Sequence, residues 1–97
     1  SPIFYWHDNG KKLSEGTYKA GKNEGVWTYW HDNGQKSQEG TFKDFKKEGV
    51  WTSWWSNGQK AGEVTFKNGK EQGLETWWDD KGNVTGTETY KDGVLVK

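Results

Sequence analysis

The chain has no cysteine, no methionine, a single proline and few aliphatic residues. Without cysteine there is neither a disulfide framework nor a thiolate metal site, and the redox compartment is left open. No apolar run approaches the roughly 20 residues of a membrane-spanning helix. Charge of one sign is not in excess either: 14 Lys+Arg meet 14 Asp+Glu. A balanced charge argues against a dedicated nucleic-acid binder, which neutralises phosphates with a net basic surface. It argues equally against a polybasic membrane patch. Ser1 is not an initiator methionine, which fits a processed form or a piece of a longer chain.

Aromatic residues are plentiful instead. They make up 16% of the 97 residues, with 8 tryptophans, although the whole hydrophobic set reaches only 29%. Two-layer domains carry more Leu, Ile and Val than this. Large rings bury about 150–250 Å² each, so a few can hold a thin structure together.

The aromatics recur in register. Trp6, Trp30, Trp54 and Trp78 are 24 residues apart, as are Gly10, Gly34, Gly58 and Gly82. Tyr18, Phe42, Phe66 and Tyr90 keep the interval, as do Thr17, Thr41, Thr65 and Thr89. Such columns identify a tandem repeat, with copies at about 5–28, 29–52, 53–76 and 77–97 in one domain spanning 1–97. Each copy holds two turn signals. One is Asp32-Asn33-Gly34, matched by Asp8-Asn9-Gly10 and Ser56-Asn57-Gly58. The other is Lys67-Asn68-Gly69, matched by Lys19-Ala20-Gly21 and Lys91-Asp92-Gly93. Asn-Gly and Asp-Gly between alternating runs are strong hairpin signals, and no segment keeps a helical period. The fold expected is all-β: an elongated antiparallel meander of about nine strands built from 24-residue β-hairpin repeats, a single-layer twisted sheet of solenoid type.

Loop length decides which side chains share a face. A two-residue turn at Asn33-Gly34 places Phe42 with Trp27 and Tyr29. A three-residue loop at Asp32-Asn33-Gly34, with glycine in the left-handed bulge position, places Phe42 with Val26 and Trp30 and sets Gly40 opposite Val26. The second register is preferred, because it gathers Val26/Trp30/Phe42, Val50/Trp54/Phe66 and Leu74/Trp78/Tyr90 into one apolar triplet per copy. Lys67-Asn68-Gly69 is read as a three-residue loop in the same way. Phe45 stands where other copies have Gly21, Gly69 and Gly93, so the loop Lys43-Asp44-Phe45 is expected to take another shape.

The strings Asn33-Gly34-Gln35-Lys36, Glu39-Gly40-Thr41-Phe42-Lys43 and Gly49-Val50-Trp51 resemble the bacterial variant of the MORN repeat (membrane occupation and recognition nexus). The resemblance runs from about Tyr5 to Gly93. It implies a hairpin per repeat, an elongated sheet with aromatics stacked along it, and interaction with protein, lipid or cell-envelope partners. It brings no active site with it. Towards its end the chain departs from the pattern at Glu75, where Trp27 and Trp51 stand, and at Glu88, where Gly16 and Gly40 stand, which fits a terminal cap or the fraying end of a fragment.

With the triplets taken as the packed face, the variable face holds the binding candidates: Trp27, Tyr29 and His31, then Trp51 and Trp55, then Trp77. Trp and Tyr are favoured at interfaces and stack on sugar rings. For Trp27 and Trp51, cross-strand stacking for stability is the preferred account. Trp55 occurs in only one copy and is the position on which a sugar-binding reading rests. His7 and His31 lie two strands apart, roughly 9–10 Å, with no third ligand in view, so no metal is expected. Glu15, Glu39 and Glu63 repeat beside Lys19, Lys43 and Lys67 and read as ion-paired surface positions rather than catalytic carboxylates. Lys43, Lys46 and Lys47 around Phe45 read as a solvated loop. No nucleophile, phosphate loop or cofactor motif is present, and an open sheet excludes water poorly. The function expected is a non-enzymatic, cofactor-free protein-interaction scaffold, with a protein partner or self-association. Carbohydrate binding through exposed Trp/Tyr is the alternative, lipid binding a weaker one, and nucleic acid is disfavoured.

Overall fold

The computed structural model describes residues 2–96. The strands are β1 (Pro2–Trp6), β2 (Lys12–Lys19), β3 (Lys22–Trp30), β4 (Lys36–Lys43), β5 (Lys46–Trp54), β6 (Lys60–Lys67), β7 (Lys70–Glu71), β8 (Gly73–Trp78), β9 (Val84–Lys91) and β10 (Val94–Val96). They pair antiparallel in chain order as one open sheet, with β7 and β8 both against β6 as one interrupted strand. The sheet measures 43 × 36 × 14 Å. The long axis matches nine strands at about 4.8 Å each, and 14 Å leaves room for one layer with side chains on both faces. The expected all-β, single-layer meander of hairpins is what forms.

The Asp-Asn-Gly segments are three-residue loops, as the repeat pattern predicts. The His31 carbonyl accepts from the Gly34 N–H at 3.0 Å and the His31 N–H donates to the Gln35 carbonyl at 2.8 Å. Gly34 takes φ +89°, open to glycine at no steric cost. The preferred face assignment nevertheless fails. Trp30 pairs with Lys36, but Tyr29 pairs with Gln38, so Ser37 is an extra residue in β4. That bulge moves the register by one, and a one-residue slip exchanges the two faces. Beyond it Trp27 pairs with Gly40, Val26 with Thr41 and Gly25 with Phe42. Phe42 therefore shares a face with Trp27 and Tyr29, and Gly40 stands opposite Trp27, not Val26. The same shift recurs at Tyr5/Trp6, Ser53/Trp54 and Trp77/Trp78.

The second turn of each copy also differs from expectation. Lys67 pairs directly with Lys70, which leaves a two-residue turn at Asn68-Gly69 with φ +53° and +81°. Positive φ at both central residues is the signature of a type I′ turn, whose twist matches the flanking strands. Asp44-Phe45 takes the same shape, with φ +52° and +73°, rather than a different one. Holding a phenylalanine there costs on the order of 1–3 kcal/mol. The Lys22 ammonium lies 4.8 Å from the Phe45 ring centroid and offsets part of that cost.

Consecutive copies are also joined at both sheet margins by side chains that hydrogen-bond the neighbouring copy's backbone. On the loop margin, Asn9, Asn33 and Asn57 donate to the carbonyls of Asp32, Ser56 and Asp80 at 2.7, 2.7 and 2.8 Å. On the turn margin, Glu24, Glu48 and Gln72 accept from the N–H groups of Asp44, Asn68 and Asp92 at 3.4, 3.0 and 2.9 Å.

Candidate functional site

The corrected register gives the sheet one packed face and one open face. On the packed face the two most enclosed large side chains are Trp27 and Trp51, 2% and 3% exposed. Each indole lies against the glycine of the preceding strand: a Cβ built on Gly16 would fall 2.0 Å from Trp27, and one on Gly40 would fall 2.1 Å from Trp51. Their N–H groups donate to the carbonyls of Thr17 and Thr41 at 3.2 and 3.0 Å. Edge-to-face contacts then run without a break through Tyr18, Trp27, Phe42 and Trp51, with centroid separations of 5.1, 6.4 and 4.9 Å. Tyr29 stacks on Trp27 at 6.3 Å. Partial burial pushes its phenol above the ordinary tyrosine value.

The open face carries Val26, Val50 and Leu74, which the triplet reading had placed in the packed layer. They are 60%, 53% and 58% exposed and cross-paired with Thr41, Thr65 and Thr89. Beside them a repeated unit fixes the lysines. Lys36 pairs with Glu39 at 3.1 Å and sits 5.7 Å over the Trp54 ring, and Lys12 and Lys60 do the same with Glu15 and Glu63 over Trp30 and Trp78. The Thr28 hydroxyl donates to Glu39 at 2.7 Å, and this bond leads the causes that hold the Glu39 carboxyl below its usual range.

Of the six binding candidates, Trp27, Tyr29, Trp51 and Trp77 lie together on the packed face. His31 and Trp55 instead belong to the rungs between copies. His7 and His31 each place Nε2 2.8 Å from a carbonyl in the next copy, those of Trp30 and Trp54. The Trp55 indole N–H makes the same bond to Trp78 at 3.1 Å. Trp55 is thus a third occupant of the histidine position with the same partner column, which explains why a tryptophan is tolerated there.

The packed face breaks its own rule in the third copy. Val64 replaces the seat glycine and Glu75 replaces the seated tryptophan, while Trp77 lies over Gly62 two positions along: a Cβ on Gly62 would meet the Trp77 ring at 3.5 Å and Ser53 Oγ at 3.0 Å. Gln38, Ser53 and Gly62 are small or polar, and a depression of about 210 Å³ opens over them beside Trp51, Phe66 and Trp77. The Lys47 ammonium closes one end, 4.6 Å from Trp51 and 5.1 Å from Phe66. Glu75 lies at the same end. Burial raises its carboxyl above the ordinary range, against the lowering bond from Tyr90, with Glu71 and Glu88 adding to the rise. Sequence reasoning missed this depression, although the signal was present: Gly40/Trp51 becomes Val64/Glu75 just where Gly62/Trp77 appears.

Partial burial, the bond to Glu88 at 3.1 Å and the carboxylates around it push the Tyr90 phenol up to about 12. The folded value lies above the unfolded one, so Tyr90's contribution to stability is complete below about pH 10 and falls as pH rises through about 12. Glu88→Gln is expected to bring the Tyr90 transition back toward 10.0, read as the titration of its ring carbon resonances. A transition that stays put would remove Glu88 as a cause.

The sequence profile described as MORN repeat variant matches four tandem stretches of the chain, residues 3–20, 23–44, 47–68 and 71–92. No curated protein and no solved structure matches it.

Proposed function

Since the chain belongs to the MORN repeat variant family, whose repeats are generally non-catalytic binding modules, we propose that it is a protein-interaction scaffold that docks a partner on its open face. The observation that supports this is the in-register row Val26, Val50, Leu74, kept aliphatic and more than half exposed in three successive copies. They lie outside the enclosed Trp27 and Trp51 layer, which is on the other side, and share their face with the Trp30, Trp54 and Trp78 rings under the lysines. Alternation with Thr41, Thr65 and Thr89 makes the row flat and mildly apolar, with lysine–glutamate pairs beside it. That is the composition of an interface with an apolar centre and a polar rim. A second sheet packs on such a face at about 10 Å, so another copy of the chain is the first partner to test.

Val50→Lys is expected to leave the fold intact and to weaken association at least tenfold, measured by sedimentation velocity across a concentration series and then against cross-linked protein partners. Complexes that form equally well with Val50→Lys and with Leu74→Lys would rule this face out.

A further inference from the structure

From the break in the third copy we infer a second, separate binding site: a saccharide-binding trough on the packed face, floored by Gln38, Ser53 and Gly62 and walled by Trp51 and Trp77, that takes a neutral β-1,4-linked oligosaccharide. It goes beyond the scaffold reading and lies on the opposite side of the sheet from it.

The argument begins with one row of side chains across the packed face. The register aligns Ser14, Tyr29, Gln38, Ser53, Gly62, Trp77 and Gly86 from strand to strand. Between the rings of Tyr29 on β3 and Trp77 on β8 this row carries no large side chain. Four strand steps separate them, about 19 Å at about 4.8 Å per step. The outcome is a shallow trough over Gln38, Ser53 and Gly62, with a polar floor and the Trp77 ring at one end. The indole of Trp51, seated on Gly40, forms one side.

The chemistry of the walls and floor selects the ligand. Sugar rings present a flat patch of C–H groups, which stacks on an aromatic face, and hydroxyls at the rim, which need donors and acceptors. Trp77 supplies the first. The Gln38 amide, which takes no part in the rungs and pairs above, and the Ser53 hydroxyl, whose bond to the Gly62 carbonyl is long at 3.5 Å, supply the second. A β-1,4-linked chain is extended and flat, with its hydroxyls at the edges of the ribbon, and so suits a shallow trough that runs across strands. Beside Phe66, Lys47 faces the carboxylates of Glu75, Glu71 and Glu88, a net negative edge that repels an anionic ligand. A cationic ligand is disfavoured in turn, because the Lys47 ammonium already lies over the Trp51 and Phe66 rings. The site is open, so affinity will be modest, with Kd on the order of 0.1–1 mM.

The test is titration of the full chain with cellopentaose and with N-acetylchitopentaose, followed by tryptophan emission and by calorimetry. Expected is a saturable change with at least one probe, weakened at least tenfold in Trp77→Ala and several-fold in Gln38→Ala, with circular dichroism unchanged. Trp6→Phe, on the opposite face at the far end of the sheet, should bind as the parent does. Should Trp77→Ala fail to fold, Gln38→Ala and Ser53→Ala decide the matter by the same readout. No saturable response to either sugar overturns the proposal, as does binding that survives loss of both Trp77 and Gln38. Neither result bears on the Val50 face, whose readout is association between chains.

Discussion

Gly40→Ala is expected to destabilise the protein by about 3 kcal/mol or more, a loss far out of proportion to one methyl group. The new Cβ would lie 2.1 Å from Trp51 Cδ2, 2.2 Å from Cε2 and 2.5 Å from Cγ, all atoms of a rigid ring. The overlap cannot be relieved by a rotamer tip. The indole has to leave its seat, and with it go the bond to the Thr41 carbonyl and the contact with Phe42. For a chain of this size each kcal/mol moves Tm by about 4–8 °C, so a fall well beyond 10 °C is expected. Gly86→Ala is the control. Its Cβ would meet Trp77 at 3.7 Å, ordinary contact, and the change should cost less than about 1 kcal/mol. In a Trp51→Ala background Gly40→Ala should cost almost nothing, because the clash has no partner. Equal effects for Gly40→Ala and Gly86→Ala in thermal or urea melts would mean that the seat does not carry the stability assigned to it.

Gly40 also marks where the sequence could be read and where it could not. The repeat period, the hairpins, the loop at Asp32-Asn33-Gly34 and the family all follow from columns of residues, since turn chemistry and alternation are local signals. The bulge at Ser37 has no such signal. Serine needs no special dihedral there, and the extra residue shows only in what it does to its neighbours: it carries Phe42 across the sheet to Trp27. One unannounced residue per hairpin was enough to turn the face of Val26 and Val50 from packed to open. Phe45 misled in the opposite sense. Its bulk argues against the left-handed region, yet the two-residue turn set by the flanking strand pairing imposes φ +73°. Trp55 looked like a specialised residue because only one copy has it, and its bond to Trp78 shows it in the same place in the ladder as His31. What could have been read is the coupling of columns. Glycine and tryptophan leave the third copy together, and another glycine–tryptophan pair enters two positions away. Repeats that exchange pairs in this way are reporting contact.

That coupling yields a gain-of-packing experiment. Glu75→Trp alone should destabilise the protein. By analogy with Gly16 and Trp27, where a Cβ would fall 2.0 Å from the ring, the Val64 side chain occupies the space the new indole needs. Val64→Gly alone should also destabilise, by about 1–2 kcal/mol, through lost packing and greater chain entropy. Combined, the two changes rebuild the seat of the first two copies. The indole N–H meets the Thr65 carbonyl, as Trp27 and Trp51 meet those of Thr17 and Thr41. Phe66 gains the edge-to-face partner that Tyr18 and Phe42 already have at 5.1 and 4.9 Å. A carboxylate disfavoured by burial is removed at the same time. The double variant should therefore be more stable than the sum of its parts by about 2–3 kcal/mol, the range of coupling seen between residues in direct contact. Trp77 stays where it is, stacked beside the new ring as Tyr29 stacks beside Trp27. Urea melts of the four proteins give the coupling directly. Additive effects would mean that a glycine and a tryptophan in the right columns do not by themselves make a seat, and that the first two copies depend on neighbours which the third copy lacks.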